Sequence, residues 1–168
     1  MLNIVDNQQE QKITPLLRLG FRPFFLFGSL FATLSIALWL LTLKGVVSVE
    51  PLNGMLWWHS HEMLFGFAGI VAMGFLLTAA QTWTGVPSVS GIKLCLLSVI
   101  WLAARLSFFI DIAGVEQLNL YIVSILQLAW WLAGIIILAD MLIQAKSNHN
   151  YLFIVITSLL CALNMIFL

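Results

Sequence analysis

The sequence predicts an all-α, polytopic transmembrane helix bundle with about five membrane-spanning helices. Three observations carry that prediction. Hydrophobic residues make up 62% of the 168 positions and charged residues only 8%, whereas a soluble domain carries roughly 25% charged residues. So few charges cannot cover a water-facing surface, and most of the surface must face lipid. The mean hydropathy is +1.06, and the apolar residues gather into five runs near the ~20 residues needed to cross ~30 Å of hydrocarbon. None of these runs carries the polar face that a helix of a soluble bundle needs. Seven basic and seven acidic residues cancel to a net charge of zero, which argues against a nucleic-acid partner, since that needs a basic patch to displace counterions.

Residues 1–20 read as a polar and basic cytoplasmic segment, with Asn7, Gln8, Gln9, Glu10, Gln11 and Lys12, and residues 21–168 as the bundle. The first span covers about 21–43. It is longer than a signal-peptide core and lacks a small-residue cleavage site, so it is a retained helix. Pro23 falls in its first turn, where a missing N–H costs nothing. The linker from Lys44 to Met55 holds Gly45, Glu50, Pro51 and Gly54, residues of turns and interfaces. The second span covers about 57–81 and is stopped by Thr84-Gly85-Val86-Pro87-Ser88. A third spans about 92–110, closed by Asp111 and Gly114. The fourth, about 120–143, ends at Lys146-Ser147-Asn148-His149-Asn150, and the fifth covers 151–168. The chain stops on Ile166-Phe167-Leu168 with no polar exit, so the expectation is an incomplete N-terminal part of a larger bundle. Cys95 and Cys161 sit alone in apolar runs, without a CxxC pairing, as small apolar fillers.

Lysine and arginine set the expected orientation. With the N-terminus inside, Lys12, Arg18, Arg22, Lys93 and Lys146 lie at inner ends, and Lys44 alone at an outer end with Glu50, Asp111 and Glu116. That is a positive-inside asymmetry.

Polar groups within spans are expensive and mark function by default. The densest set opens the second span, Trp57-Trp58-His59-Ser60-His61-Glu62-Met63. Consecutive helix residues turn by about 100°, so His59 and His61 point about 200° apart and cannot share one mononuclear site on a regular helix. His59, Glu62 and Met63 are spaced to share a face, and His61 shares the other with Phe65. One imidazole is thereby a candidate metal ligand while the other meets a different partner, or the interfacial aromatic belt. Arg105 lies ~8 Å in from the outer end of the third span, and Glu62 at a similar depth in the second. The two helices are consecutive and antiparallel, so the opposite charges are expected to pair. Gln127 and Asn164 fall in the same half, completing an intramembrane polar layer or serving as interhelical hydrogen-bond glue. Gly66, Gly69 and Gly74, among other small residues of the second span, suit close packing of backbones or of a flat cofactor.

Several blocks resemble the NnrS family. They are Leu19-Gly20-Phe21-Arg22-Pro23-Phe24-Phe25, Trp58-His59-Ser60-His61-Glu62-Met63-Leu64-Phe65-Gly66, Gly74-Phe75-Leu76-Leu77-Thr78-Ala79, Trp83-Thr84-Gly85 and Trp101-Leu102-Ala103-Ala104-Arg105-Leu106. They occur in the family's order through the first three spans, and Ala162-Leu163-Asn164 adds a weaker match. The third-span motif departs from the family pattern in having Ala104 where a glycine is usual. The resemblance implies a multi-pass protein of the bacterial inner membrane, associated with haem b and copper and with the response to nitric oxide. It also implies that this chain is less than half of the family's length, with a C-terminal half or a partner subunit supplying the rest.

The expectation is therefore a haem- and copper-associated membrane protein of nitric oxide tolerance. One imidazole of His59 and His61 binds metal. Glu62 hydrogen-bonds a histidine or pairs with Arg105, and Arg105 alternatively neutralises a haem propionate. Met63 is a further residue in reach of the cofactor. Two other classes stay open: a transporter or half-transporter with Glu62, Arg105, Gln127 and Asn164 along a polar path, and a structural or assembly subunit. No nucleophile–base constellation, phosphate loop or dinucleotide fingerprint is present in the sequence.

Overall fold

The structure, a computed structural model, describes residues 12–110 and 116–168. Asn7 to Gln11, Asp111 and Gly114, on which the polar start and the close of the third span rest, lie outside the described residues. Among the described residues there are five helices long and apolar enough to cross a membrane, and no strand. Helix α1 is Phe21–Leu43, α2 runs over Met55–Thr84, α3 is Gly91–Leu106 with a 3-10 turn Ser107–Phe109, α4 is Glu116–Gln144, and α5 is Tyr151–Phe167. The chain is a multi-pass membrane protein.

The helix ends differ from the expected ones for local reasons. Helix α2 begins at Met55 and ends at Thr84, because the chain breaks at Gly54 (φ 84°) and Gly85 (φ 69°), left-handed conformations that glycine adopts without a Cβ clash. At the start of α1, Pro23 lies in the first turn, and the orphan N–H of Phe21 donates to Thr78 Oγ1 at 3.0 Å. That bond ties the start of α1 to the C-terminal part of α2.

Helix α2 is the hub. It packs against α1 on one side and α4 on another, while α4 also carries α3 and α5. Without a hydrophobic drive between helices in lipid, close van der Waals fit holds them. Glycines make that fit possible. A Cβ on Gly74 would lie 2.9 Å from Phe24 Cβ, one on Gly28 would lie 2.9 Å from Ile70 Cγ2, and one on Gly69 would lie 3.1 Å from a Trp131 ring carbon. The interior is Phe24, Ile70, Met73, Leu77, Trp101, Trp130, Trp131 and Leu138, with a smaller cluster of Trp58, Phe108 and Val123 at the Met55 end. Exposed Leu30, Leu34, Ile125, Ile136 and Leu159 form the lipid-facing surface.

Candidate functional site

The second helix is not a uniform α-helix. After Met55–His61 it widens into a π-helical stretch, Glu62–Ala68, and returns to α at Gly69. A π turn closes i→i+5 bonds, opens the ring of backbone and is found often at functional sites. Here it changes which residues share a face. The regular-helix expectation groups Glu62 with His59 and Met63. In the structure Glu62 turns inward beside His61, both fully buried, whereas His59 and Met63 are half-buried. The wider turn rotates less per residue, so neighbours at the α-to-π junction reach one side.

Glu62 sits at the centre of a three-member chain. Its Oε1 contacts His61 Nδ1 at 2.8 Å, and its Oε2 contacts Arg105 Nε at 2.9 Å. Glu62 is 0% and Arg105 2% exposed. The Arg105 contact is a charge contact: its N–H does not point along the N–O line, and neither Nη has a hydrogen-bond partner among the described residues. The guanidinium lies over the Trp101 ring, 5.5 Å from its centroid, a cation–π arrangement one helical turn away on α3. Trp101 Nε1 donates to Gly66 O at 3.2 Å, so α3 grips the π stretch from the side, and Phe31 of α1 stacks edge-on against Trp101 at 5.5 Å. Gly66 leaves the room this requires: a Cβ there would lie 2.8 Å from both Arg105 Nη1 and Glu62 Oε2.

With Nδ1 engaged by the carboxylate, His61 keeps a buried Nε2 that has no hydrogen-bond partner among the described residues. Its ring is enclosed by Trp57 at 5.1 Å, Phe65 and Phe108 each at 5.2 Å, and Phe167 at 5.8 Å between centroids. Phe108 also lines a cleft of about 750 Å³ between the 45–55 loop and Phe108–Ile110. Leu52 N–H donating to Phe108 O at 2.9 Å joins that loop to the end of α3.

His59 belongs to a separate place. It stacks flat on Trp39 of α1, with centroids 4.6 Å apart and planes within 2°, and its Nδ1 lies 3.4 Å from the buried Ser35 Oγ. The two histidines therefore diverge into different surroundings. Gln127 and Asn164 meet each other, Asn164 Nδ2 donating to Gln127 Oε1 at 3.5 Å, both fully buried between α4 and α5. Gly69 and Gly74 stand apart from the charged chain, against Trp131 and Phe24. Among the described residues no three of His, Cys, Asp and Glu converge as a complete metal cage.

Several members of this site were absent from the sequence expectation. Trp101 is four residues before Arg105, a spacing that places both on one helix face, so it was legible in principle. Ser35, a buried serine of α1, carries no sequence mark that ties it to His59. Phe108 and Phe167 carry no sequence mark, since their role depends on where α3 and α5 end. No curated protein and no solved structure matches the chain. The family model described as NnrS protein matches residues 15–168. That match runs through all five spans and through the His61–Glu62–Arg105 chain, and the protein belongs to the NnrS family.

Proposed function

We propose that this is a haem-binding protein of the bacterial inner membrane that contributes to nitric oxide tolerance, in which His61 would hold the iron. One observation carries the reading: His61 Nδ1 is engaged by Glu62, and its buried Nε2 has no hydrogen-bond partner among the described residues. A metal-ligating histidine almost always gives its other ring N–H to a carboxylate or carbonyl, which fixes the tautomer and raises basicity. The donor chemistry fits one imidazole ligand. A second ligand would come from outside these residues, from the rest of a longer protein or a partner subunit.

Haem, when bound, supplies an iron whose behaviour is set by its axial ligand, nearby hydrogen bonds and burial. The chain's own residues then have distinct work. Glu62 holds the Nδ1 proton and orients the ring. Arg105 sets its fixed positive charge against Glu62 Oε2, and its two Nη groups, without a hydrogen-bond partner among the described residues, suit a propionate. Trp57, Phe65, Phe108 and Phe167 exclude water around Nε2, and the cleft ending on Phe108 is the route for a small molecule. His59 and Met63, on the half-buried side, are the imidazole and thioether left for copper, a metal both ligand types suit. The excess of lysine and arginine at the Phe21 end supports a cytoplasmic N-terminus. An absorption spectrum of the purified full-length protein tests the reading. A Soret band that shifts on reduction supports it, and a colourless preparation that takes up no added haem refutes it.

A further inference from the structure

The Phe21 end of the bundle holds a second feature, away from the histidines. A groove of about 270 Å³ opens on the lipid-facing side between α1 and α2, lined by Phe21, Phe25, Phe75, Thr78, Ala79 and Thr82. Phe21 and Phe25 meet edge to face at 6.1 Å, and Phe75 is 55% exposed. Thr78 gives the groove little polarity, because its hydroxyl donates to Gly74 O and accepts from Phe21 N–H. The groove lies within membrane spans, where the available occupant is an acyl chain.

Arg22 stands between Phe21 and Phe25 in the first turn of α1. Its Nη1 donates to Pro15 O at 2.7 Å, which ties the guanidinium to the turn before α1 and uses one of five donors. Arg18 is tied in the same way, its Nε donating to Ile13 O at 3.0 Å. The same end of the bundle carries Lys12, Lys93 and Lys146. Among the described residues its one carboxylate is Asp140, which accepts a bond from Gln144 at 2.8 Å. The Phe21 end of the bundle is thus cationic, and Arg22 adjoins in sequence the Phe21 that lines the apolar groove. We infer that this groove is a binding site for an anionic phospholipid, its acyl chain against the three phenyl rings and its phosphate on Arg22. A guanidinium fork matches a phosphate better than a lysine does, and each basic residue near an anionic membrane surface counts for about a fivefold change in affinity.

The test is native mass spectrometry of the full-length protein released from detergent after exposure to dioleoyl phosphatidylglycerol or dioleoyl phosphatidylcholine. Wild type should retain the glycerol lipid in preference. Arg22→Gln should lower that preference about fivefold, Arg22→Lys should keep most of it, and Lys44→Gln, at the opposite end of α1, should leave it unchanged. Phe75→Ala should weaken retention of both lipids. Equal retention of the two lipids by wild type, or a loss in Lys44→Gln matching that of Arg22→Gln, would overturn the site. Displacement by excess inorganic phosphate would overturn it too, by showing a simple anion contact in place of a lipid.

Discussion

Replacing Glu62 by glutamine strands Arg105. The arginine is 2% exposed, its Nε touches Glu62 Oε2 at 2.9 Å, and neither Nη has another partner among the described residues. Breaking a buried pair by removing one member typically costs ~3–5 kcal/mol, because a desolvated charge remains without its counter-charge. The Trp101 ring offsets about 0.5–2 kcal/mol of that through cation–π attraction. A net loss of about 1–4.5 kcal/mol is expected for Glu62→Gln, a large share of typical domain stability. Arg105→Gln should cost a similar amount by leaving the buried carboxylate without its counter-charge, with His61 Nδ1 as its remaining partner. The double substitution removes both charges, so its loss should fall well short of the sum of the singles. The assay is a double-mutant cycle on unfolding midpoints of the purified protein in one detergent. Strictly additive losses would refute the pairing as an energetic unit, whatever the distance between the atoms.

Further outcomes follow from the packing around that pair. Gly66→Ala places a methyl group 2.8 Å from both Arg105 Nη1 and Glu62 Oε2, and should destabilise the protein by about 1–3 kcal/mol; a neutral result in thermal unfolding would mean that the π stretch yields freely. Trp101→Phe keeps a ring beneath Arg105 but removes the donor to Gly66 O, for a loss of about 1 kcal/mol that Trp101→Ala should clearly exceed. Topology is checked with cysteines at Ser48 and Ser147: an impermeant thiol reagent on intact cells should label the first and spare the second, and the reverse pattern would invert the proposed orientation.

The architecture was legible because lipid imposes one rule on every span, an apolar surface along its whole length. Glycine and proline punctuation then set the breaks, with Gly54 and Gly85 in left-handed conformations at the ends of α2. The pairing of Glu62 with Arg105 could be read from matched depth on consecutive helices. A bond from Glu62 to a histidine was also expected, but which histidine was not legible, because the helix turns π from Glu62 onward and no residue type announces that. Regular-helix geometry put Glu62 on the His59 side, and a small difference in rotation per residue moved it to the other. Phe167 was hidden for a different reason: its contact with His61 arises only where α5 comes to lie across α2.

The most direct measurement is the optical spectrum of the full-length protein bearing His61→Ala or His59→Ala, each with haem content measured against wild type. His61 points its Nε2 into an aromatic interior with Nδ1 held by a carboxylate, and His59 lies flat on Trp39 outside that interior. The account predicts loss or a marked shift of the Soret band in His61→Ala and a wild-type spectrum in His59→Ala. An unchanged spectrum in His61→Ala, with the band lost in His59→Ala, would contradict it.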